Sequence, residues 1–209
     1  MNKKQIILLG CSGHALVVSD CIPESHKIVG YLAPEVAKPD FLQVPYLGSE
    51  NTIDLLALSL ENAFFPAIGN NKIRKKVLIR LQELKLETLI LKHSSAVISP
   101  SSVIGGATLI APGCIINAKV NIGRGVIVNS GAIIEHECTI GEFVHIAPGS
   151  TLAGDVHIGE GSFIGAGAVV REGIKIGKNC IVGAGSVVLT DIPDNELWVG
   201  VPAKRKKHL

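Results

Sequence analysis

Aromatic side chains are scarce in this 209-residue chain: one Trp, two Tyr and five Phe, 4% in all. With Gly counted 23 times and apolar residues at 47%, small β-branched residues must supply the core, which suits thin repetitive coils better than a packed sandwich. Excess charge of one sign is also missing. Twenty basic against 18 acidic residues leave a net +2, so neither a nucleic-acid partner nor a membrane surface is expected. The one basic run, Lys204–Arg205–Lys206–Lys207, reads as a solvated tail or as a patch for a phosphate-bearing ligand. The five cysteines (Cys11, Cys21, Cys114, Cys138, Cys180) are odd in number and form no CxxC. That implies neither a disulfide framework nor a zinc site and fits a reduced cytoplasmic compartment. Long apolar runs are absent despite a mean hydropathy of +0.40, and nothing approaches the roughly 20 residues of a membrane-inserted span. Ile6–Leu9 before Gly10-Cys11 imitates a lipoprotein signal. It falls short of the roughly 7–15 apolar residues such a signal needs and reads as a buried strand entering a glycine turn.

The second half of the chain carries a repeat. Every sixth residue from Ile98 to Val188 is aliphatic, sixteen positions without a break. Four residues after each comes a small or β-branched residue, among them Cys114, Cys138 and Cys180. Each hexapeptide supplies one short strand and a turn, and three make a triangular coil, giving about five stacked coils. The aliphatic residue points inward, and the smaller one fills the tight space near a corner. Glycines at 105, 123, 141, 159, 165, 177 and 183 are expected to serve unusual turn dihedrals. An ordinary amphipathic sheet would show period two and variable loops, which the constant phase excludes. The three inward cysteines are packing residues in this reading.

The first half alternates strands and helices, which implies a small parallel α/β (Rossmann-like) domain. Strands are expected at Gln5–Leu9, Lys27–Leu32, Ala63–Ile68 and Thr88–Leu91. Helices are expected at Ala15–Cys21, from Ser49 (as N-cap) to about Leu60, and from about Lys72 to Lys85 with Asn70 or Asn71 as cap. Strand, glycine turn and helix start at Gly10–His14 form a weak anion-site signal. A ligand belongs at the strand C-terminal ends, near Ser12–His14, Leu32–Pro34 and Gly69–Asn70. The expected division is 1–92 for this domain, 93–193 for a β-helix and 194–209 for a C-terminal tail.

Five blocks, in order, resemble one family: Gly10-Cys11-Ser12-Gly13-His14; Ala67-Ile68-Gly69-Asn70-Asn71 with Ile73-Arg74-Lys75-Lys76; Ile134-Glu135-His136-Glu137-Cys138; Gly141-Glu142-Phe143-Val144-His145; and Val199-Gly200-Val201-Pro202-Ala203-Lys204. The family is that of the bacterial sugar acyltransferases, which includes UDP-4-amino-sugar N-acetyltransferases of the bacillosamine type and sialic acid O-acetyltransferases. The resemblance implies a left-handed parallel β-helix behind the α/β domain and a homotrimer with active sites at subunit interfaces. It also implies acetyl-CoA as co-substrate without a metal. Ser12, Gly13, His14 and Gly69 match substrate contacts, and His145, Gly154, Ala166, Ala184 and Asn129 match the coenzyme groove, the Gly154 N–H being a candidate oxyanion donor. The chain departs from the family at Ala33-Pro34, where the N-acetyltransferases carry an acidic pair; Glu35 lies one step on.

Acetyl transfer from a thioester needs a base for the attacking amine or hydroxyl and donors for the oxyanion. Imidazole suits the first task. His136 lies two places after the inward Ile134, at a turn rather than in the core. By resemblance His136 is the base and Glu137 its orienting partner. Neighbours on a strand point apart, so that contact requires corner geometry, and Glu135 is the rival partner. His136, His145 and His157 are spaced too widely around the coil for a metal site. The leading expectation is N-acetylation of the 4-amino group of a UDP-linked 4-amino-4,6-dideoxy sugar in bacterial glycan biosynthesis. O-acetylation of a sugar of the sialic acid type is the alternative, and a non-catalytic β-helix scaffold the second.

Overall fold

A computed structural model describes residues 4–37 and 42–209. The first domain is a parallel sheet of β1 (Lys4–Leu9), β2 (His26–Leu32), β3 (Tyr46–Gly48) and β4 (Asn62–Pro66) in the order β3-β2-β1-β4. Central β1 is apolar on both sides because both are covered. Ile6 and Leu8 pack with Ala15 and Val18 of α1 (Gly13–Asp20), while Ile7 and Leu9 pack with Val77 and Leu81 of α3 (Asn71–Glu83).

Three expectations need correction here. The helix expected from Ser49 is only Leu55–Ser59 (α2), because Asp54 Oδ1 accepts from the Leu56 and Ala57 N–H groups and caps it there. Ser49 Oγ instead accepts from Asn51 N in a turn that follows β3, a strand the sequence did not reveal. The strand expected at Thr88–Leu91 is divided: Thr88 makes an isolated bridge to Phe64, and Leu91–Lys92 pairs with Leu109–Ile110 of the next domain. α3 begins with Asn70 Oδ1 capping Ile73 N and ends before Lys85, whose φ of 55° is left-handed.

From Leu91 onward, two-residue strands recur every six residues and pair in parallel with strands 18 residues away. They form three faces. Face I carries Leu91, Leu109, Ile127, His145, Phe163 and Ile181 outward; face II carries Val97, Ile115, Ile133, Thr151, Val169 and Val187; face III carries Val103, Asn121, Thr139, His157 and Lys175. The inward aliphatic residues are buried from Ile110 to Val188, with Ile98 and Ile104 half-buried in the terminal coil. The second inward set is buried from Thr108 to Ile192, with Ser102 half-buried. Ser150 and Ser162 satisfy their hydroxyls on Gly165 O and Gly177 O, and Cys114, Cys138 and Cys180 point their thiols at carbonyls. Burial pushes the Cys114 and Cys138 thiols up to about 11, so packing accounts for them.

The glycines following the aliphatic position have a different reason from the one expected. None of the seven lies at positive φ. An added Cβ at Gly105, Gly123, Gly141 or Gly159 would sit 2.5–2.8 Å from backbone of the adjacent coil, so close coil stacking demands them. The left-handed residue is two places later, as at Gly113, Gly131 and Gly149.

The basic run is exposed but is not a loose tail. Lys204–His208 pairs antiparallel with Glu196–Val199, which extends face I beyond Ile181–Val182. Arg205 Nε and Trp198 Nε1 hold Glu196 at 2.8 and 2.7 Å. The hairpin covers a strand edge that would otherwise be open. Among the described residues, no helix is long and apolar enough to cross a membrane.

The α/β domain sits on face I, where Leu91, Leu109 and Ile127 join its core. It also reaches the edge between faces III and I, where Phe143 and Ala107 pack with α3.

Candidate active site

His136 and Glu137 occupy the edge between faces II and III. Glu137 adopts φ 64°, a left-handed conformation costing an L-residue roughly 1–2 kcal/mol. That turn brings the neighbours together: His136 Nδ1 lies 3.1 Å from Glu137 Oε2. The rival Glu135 is engaged elsewhere, accepting from Asn117 Nδ2 at 2.8 Å. With Nδ1 facing a carboxylate, Nε2 is the nitrogen left to take a proton. Both side chains are more than half exposed, at 59% and 52%.

Gly154 lies one coil beyond His136. Its φ is not left-handed, so the backbone alone does not require glycine. An added Cβ there would lie 2.6 Å from His136 Cε1 and 2.8 Å from Nε2, so the imidazole rests on the Gly154 backbone. The Gly154 N–H has no backbone acceptor among the described residues, which leaves it available to an oxyanion. Gly154→Ala is expected to displace the ring and cut kcat by ~10–100-fold, with the melting temperature little changed. Steady-state kinetics beside thermal unfolding check this.

The remaining coenzyme-groove candidates lie elsewhere. Asn129 and the exposed Ala166 and Ala184 follow the edge between faces I and II. There the left-handed position is glycine in five successive coils, at 113, 131, 149, 167 and 185. Added Cβ atoms at Gly131, Gly149, Gly167 and Gly185 would meet nothing within 4 Å, so this edge is a smooth, open wall. His145, on face I, is buried: Asn129 Nδ2 is 3.1 Å from its Nε2, the Gly69 carbonyl is 3.4 Å from its Nδ1, and Phe163 packs edge-on. The structure thus groups His145 with Asn129, Gly69 and His14, apart from His136.

At the strand ends, Ser12 precedes α1 with its side chain making no cap bond, and Ser12 and Gly13 are exposed. Gly69 lies against His14, where an added Cβ would be 3.8 Å from His14 Cβ. His14 faces His145 at 6.2 Å between ring centroids, and its Nε2 is buried with no partner among the described residues. Burial, reinforced by the Arg74 charge, pushes both histidines down to about 4. Depressed values mean that the unfolded chain protonates first. The contribution of these two residues to stability is therefore complete above about pH 6.5 and is lost as pH falls toward 4. Urea melts at pH 7.5 and 5 are expected to show this loss, and His14→Gln to reduce it.

Arg74 is the residue that sequence reasoning missed. It is 1% exposed and, among the described residues, bonds carbonyl and amide oxygens rather than a carboxylate. Its guanidinium donates to Ile68 O, Gly69 O and Asn71 Oδ1 on its own domain, and to Gly125 O, Phe143 O and Val144 O on the β-helix. Asn71 Nδ2 adds bonds to Gly161 O and Ser162 O. The available signal was the basic cluster Lys72–Lys76 at the start of α3, the end where the helix dipole disfavours cations.

Comparison with known proteins agrees with this architecture. The bacterial transferase hexapeptide (six repeats) model matches residues 119–154 and 155–190, and the PglD N-terminal domain model matches residues 5–81. The acetyltransferase domain of PglB from Neisseria gonorrhoeae FA1090 is 31% identical, with a TM-score of 0.90 over 98% of this chain and 100% of that one. The chain belongs to the PglD-type sugar N-acetyltransferases of the hexapeptide-repeat, left-handed β-helix superfamily. Within this family, PerB from Caulobacter crescentus, solved in complex with CoA and GDP-perosamine, is 36% identical, with a TM-score of 0.89 over 97% of each chain. The Neisseria domain has also been solved with acetyl coenzyme A. UDP-N-acetylbacillosamine N-acetyltransferase from Bacillus subtilis (strain 168) is 36% identical over 110 residues, 51% of each chain. The chain's alignments span about half the length of the curated relatives it matches.

Proposed function

We propose that the chain transfers acetyl from acetyl-CoA to the 4-amino group of a nucleotide-linked 4-amino-4,6-dideoxy sugar. The observation that carries this is the His136–Glu137 pair resting on Gly154 at an edge of the hexapeptide helix. The amine attacks the thioester carbonyl, His136 Nε2 accepts the amine proton, and the Gly154 N–H steadies the oxyanion. Collapse expels CoA thiolate, which takes up a proton, and no acyl-enzyme forms. Sequential rather than ping-pong kinetics are expected.

The site takes residues from two chains in this reading. The edge bearing His136 is the one that does not border face I, whereas Ser12, Gly13, His14, Gly69 and His145 lie on or above face I. Face II carries an outward apolar ladder, with Val97 and Val169 at 65% and 41% exposure. Three chains with face II toward a common axis bring the His136 edge of one against the glycine-lined edge of the next, a heterologous contact that closes into a ring. Sedimentation is expected to report a trimer. Mixing inactive His136→Ala and His14→Ala chains is expected to restore part of the activity.

The nucleotide is UDP in the reading that the resemblance favours. GDP is the second reading, supported by the PerB likeness; Ala33-Pro34 departs from the acidic pair that the resemblance to UDP-sugar enzymes implies. Thiol release from acetyl-CoA with UDP- and GDP-linked 4-amino sugars and with free sialic acid separates these. Turnover with an amino sugar is expected; turnover with sialic acid alone would overturn the proposal.

A further inference from the structure

The left-handed corner position differs from edge to edge: between faces III and I it is mixed, with Ala107, Gly125, Phe143, Gly161 and Asn179. Along the edge between faces I and II it is glycine in five coils. Along the His136 edge it is Lys119, Glu137 and Asp155, at φ 60°, 64° and 55°, before reverting to Gly173. These three charged residues stand one above another in consecutive coils, each holding a conformation that L-residues avoid. Glu137 is accounted for by His136. Its neighbours are not. Lys119 Nζ lies 3.8 Å from Glu137 Oε1, so the two carboxylate oxygens are shared between the lysine and the imidazole. On the other side, Asp155 Oδ1 lies 3.0 Å from His157 Nε2, and Asp155 N donates to the His136 carbonyl.

We propose that Lys119 and Asp155 are positioning residues that set the charge seen by His136 through Glu137, Lys119 countering the carboxylate and Asp155 reinforcing it. This rests on His136 being the base. The other charged groups near the corner are Glu135, tied to Asn117, His157 on Asp155, and Arg171 and Glu172 in the coil beyond Gly154. Removing Lys119 leaves Glu137 uncompensated and favours the imidazolium. Removing Asp155 withdraws a negative charge and disfavours it.

The test uses Lys119→Gly and Asp155→Gly, because glycine already serves this position on the neighbouring edge and the fold is retained. The pH profile of kcat/KM is measured at low and at 1 M salt. Lys119→Gly is expected to move the acid limb up and Asp155→Gly to move it down, each by a few tenths of a pH unit, with both shifts shrinking at high salt. Lys119→Arg is expected to restore the original limb. Limbs that stay in place, or that move in the same direction, would overturn the proposal, since a purely structural role lowers kcat without opposite shifts. Wild-type chain that releases no thiol overturns the acetyl-transfer reading itself, an outcome distinct from active variants with unmoved limbs.

Discussion

His136→Ala is expected to lower kcat by ~10²–10⁴-fold, the usual range for a lost general base, while KM for acetyl-CoA changes little. The side chain is 59% exposed and lies outside the apolar core, so little loss of stability is expected to accompany the loss of activity. Its contacts are Glu137 on one side and the Gly154 backbone on the other, so its removal takes away the proposed proton acceptor but leaves the smooth glycine edge intact. Glu137→Gln keeps the corner residue unbranched and is expected to cost less, because an amide still reaches Nδ1 but no longer stabilises the imidazolium. Retention of half the wild-type kcat in His136→Ala would remove His136 from the mechanism. It would also favour the scaffold reading.

Arg74→Met is expected to give the largest loss of stability, about 3–5 kcal/mol, seen as a melting temperature lower by roughly 10 °C. The guanidinium donates to five carbonyls and one amide oxygen. Removing it leaves the buried Gly125 and Phe143 carbonyls without a donor among the described residues, while Val144 O keeps Ile127 N. Burial pushes its pKa down to about 9, and the oxygens around the guanidinium are carbonyl and amide rather than carboxylate. Arg74→Lys is expected to rescue only a fraction, since an ammonium has three donors and no planar fork. Because Gly69 O meets both Arg74 and His145, the substitution is also expected to raise KM for the sugar substrate. Hydrogen exchange is expected to show α3 and residues 143–145 losing protection together. A melting temperature within 2–3 °C of wild type would refute this account.

The repeat was fully legible in the amino-acid order, because one inward side chain per six residues is a local requirement that stacking multiplies. From Ile98 to Val188 the inward aliphatic set is as the phase demands. The buried cysteines follow from the same phase. The outward position of His136 and Glu137 was legible from the same phase, and their contact is the one expected of the pair. The reason for the post-aliphatic glycines was not, since an approach of 2.5–2.8 Å to the next coil involves residues some 18 positions away. The early end of α2 at its Asp54 cap and the transfer of Leu91–Lys92 to the β-helix were hidden for a similar reason: apolar pattern marks burial, not the partner that provides it.

What the sequence determined by itself was therefore the coil, its inward residues and the residue types able to do the chemistry, all set by contacts within a few residues. Only the tertiary structure decided that Glu137 turns left-handed to meet His136 and that Gly154 carries the ring. It also decided that Arg74 pins the domains together and that His145 faces the α/β domain rather than His136. Each of these depends on which backbone groups meet across coils or across the domain boundary, where packing and unsatisfied polar atoms, not local propensity, carry the energy.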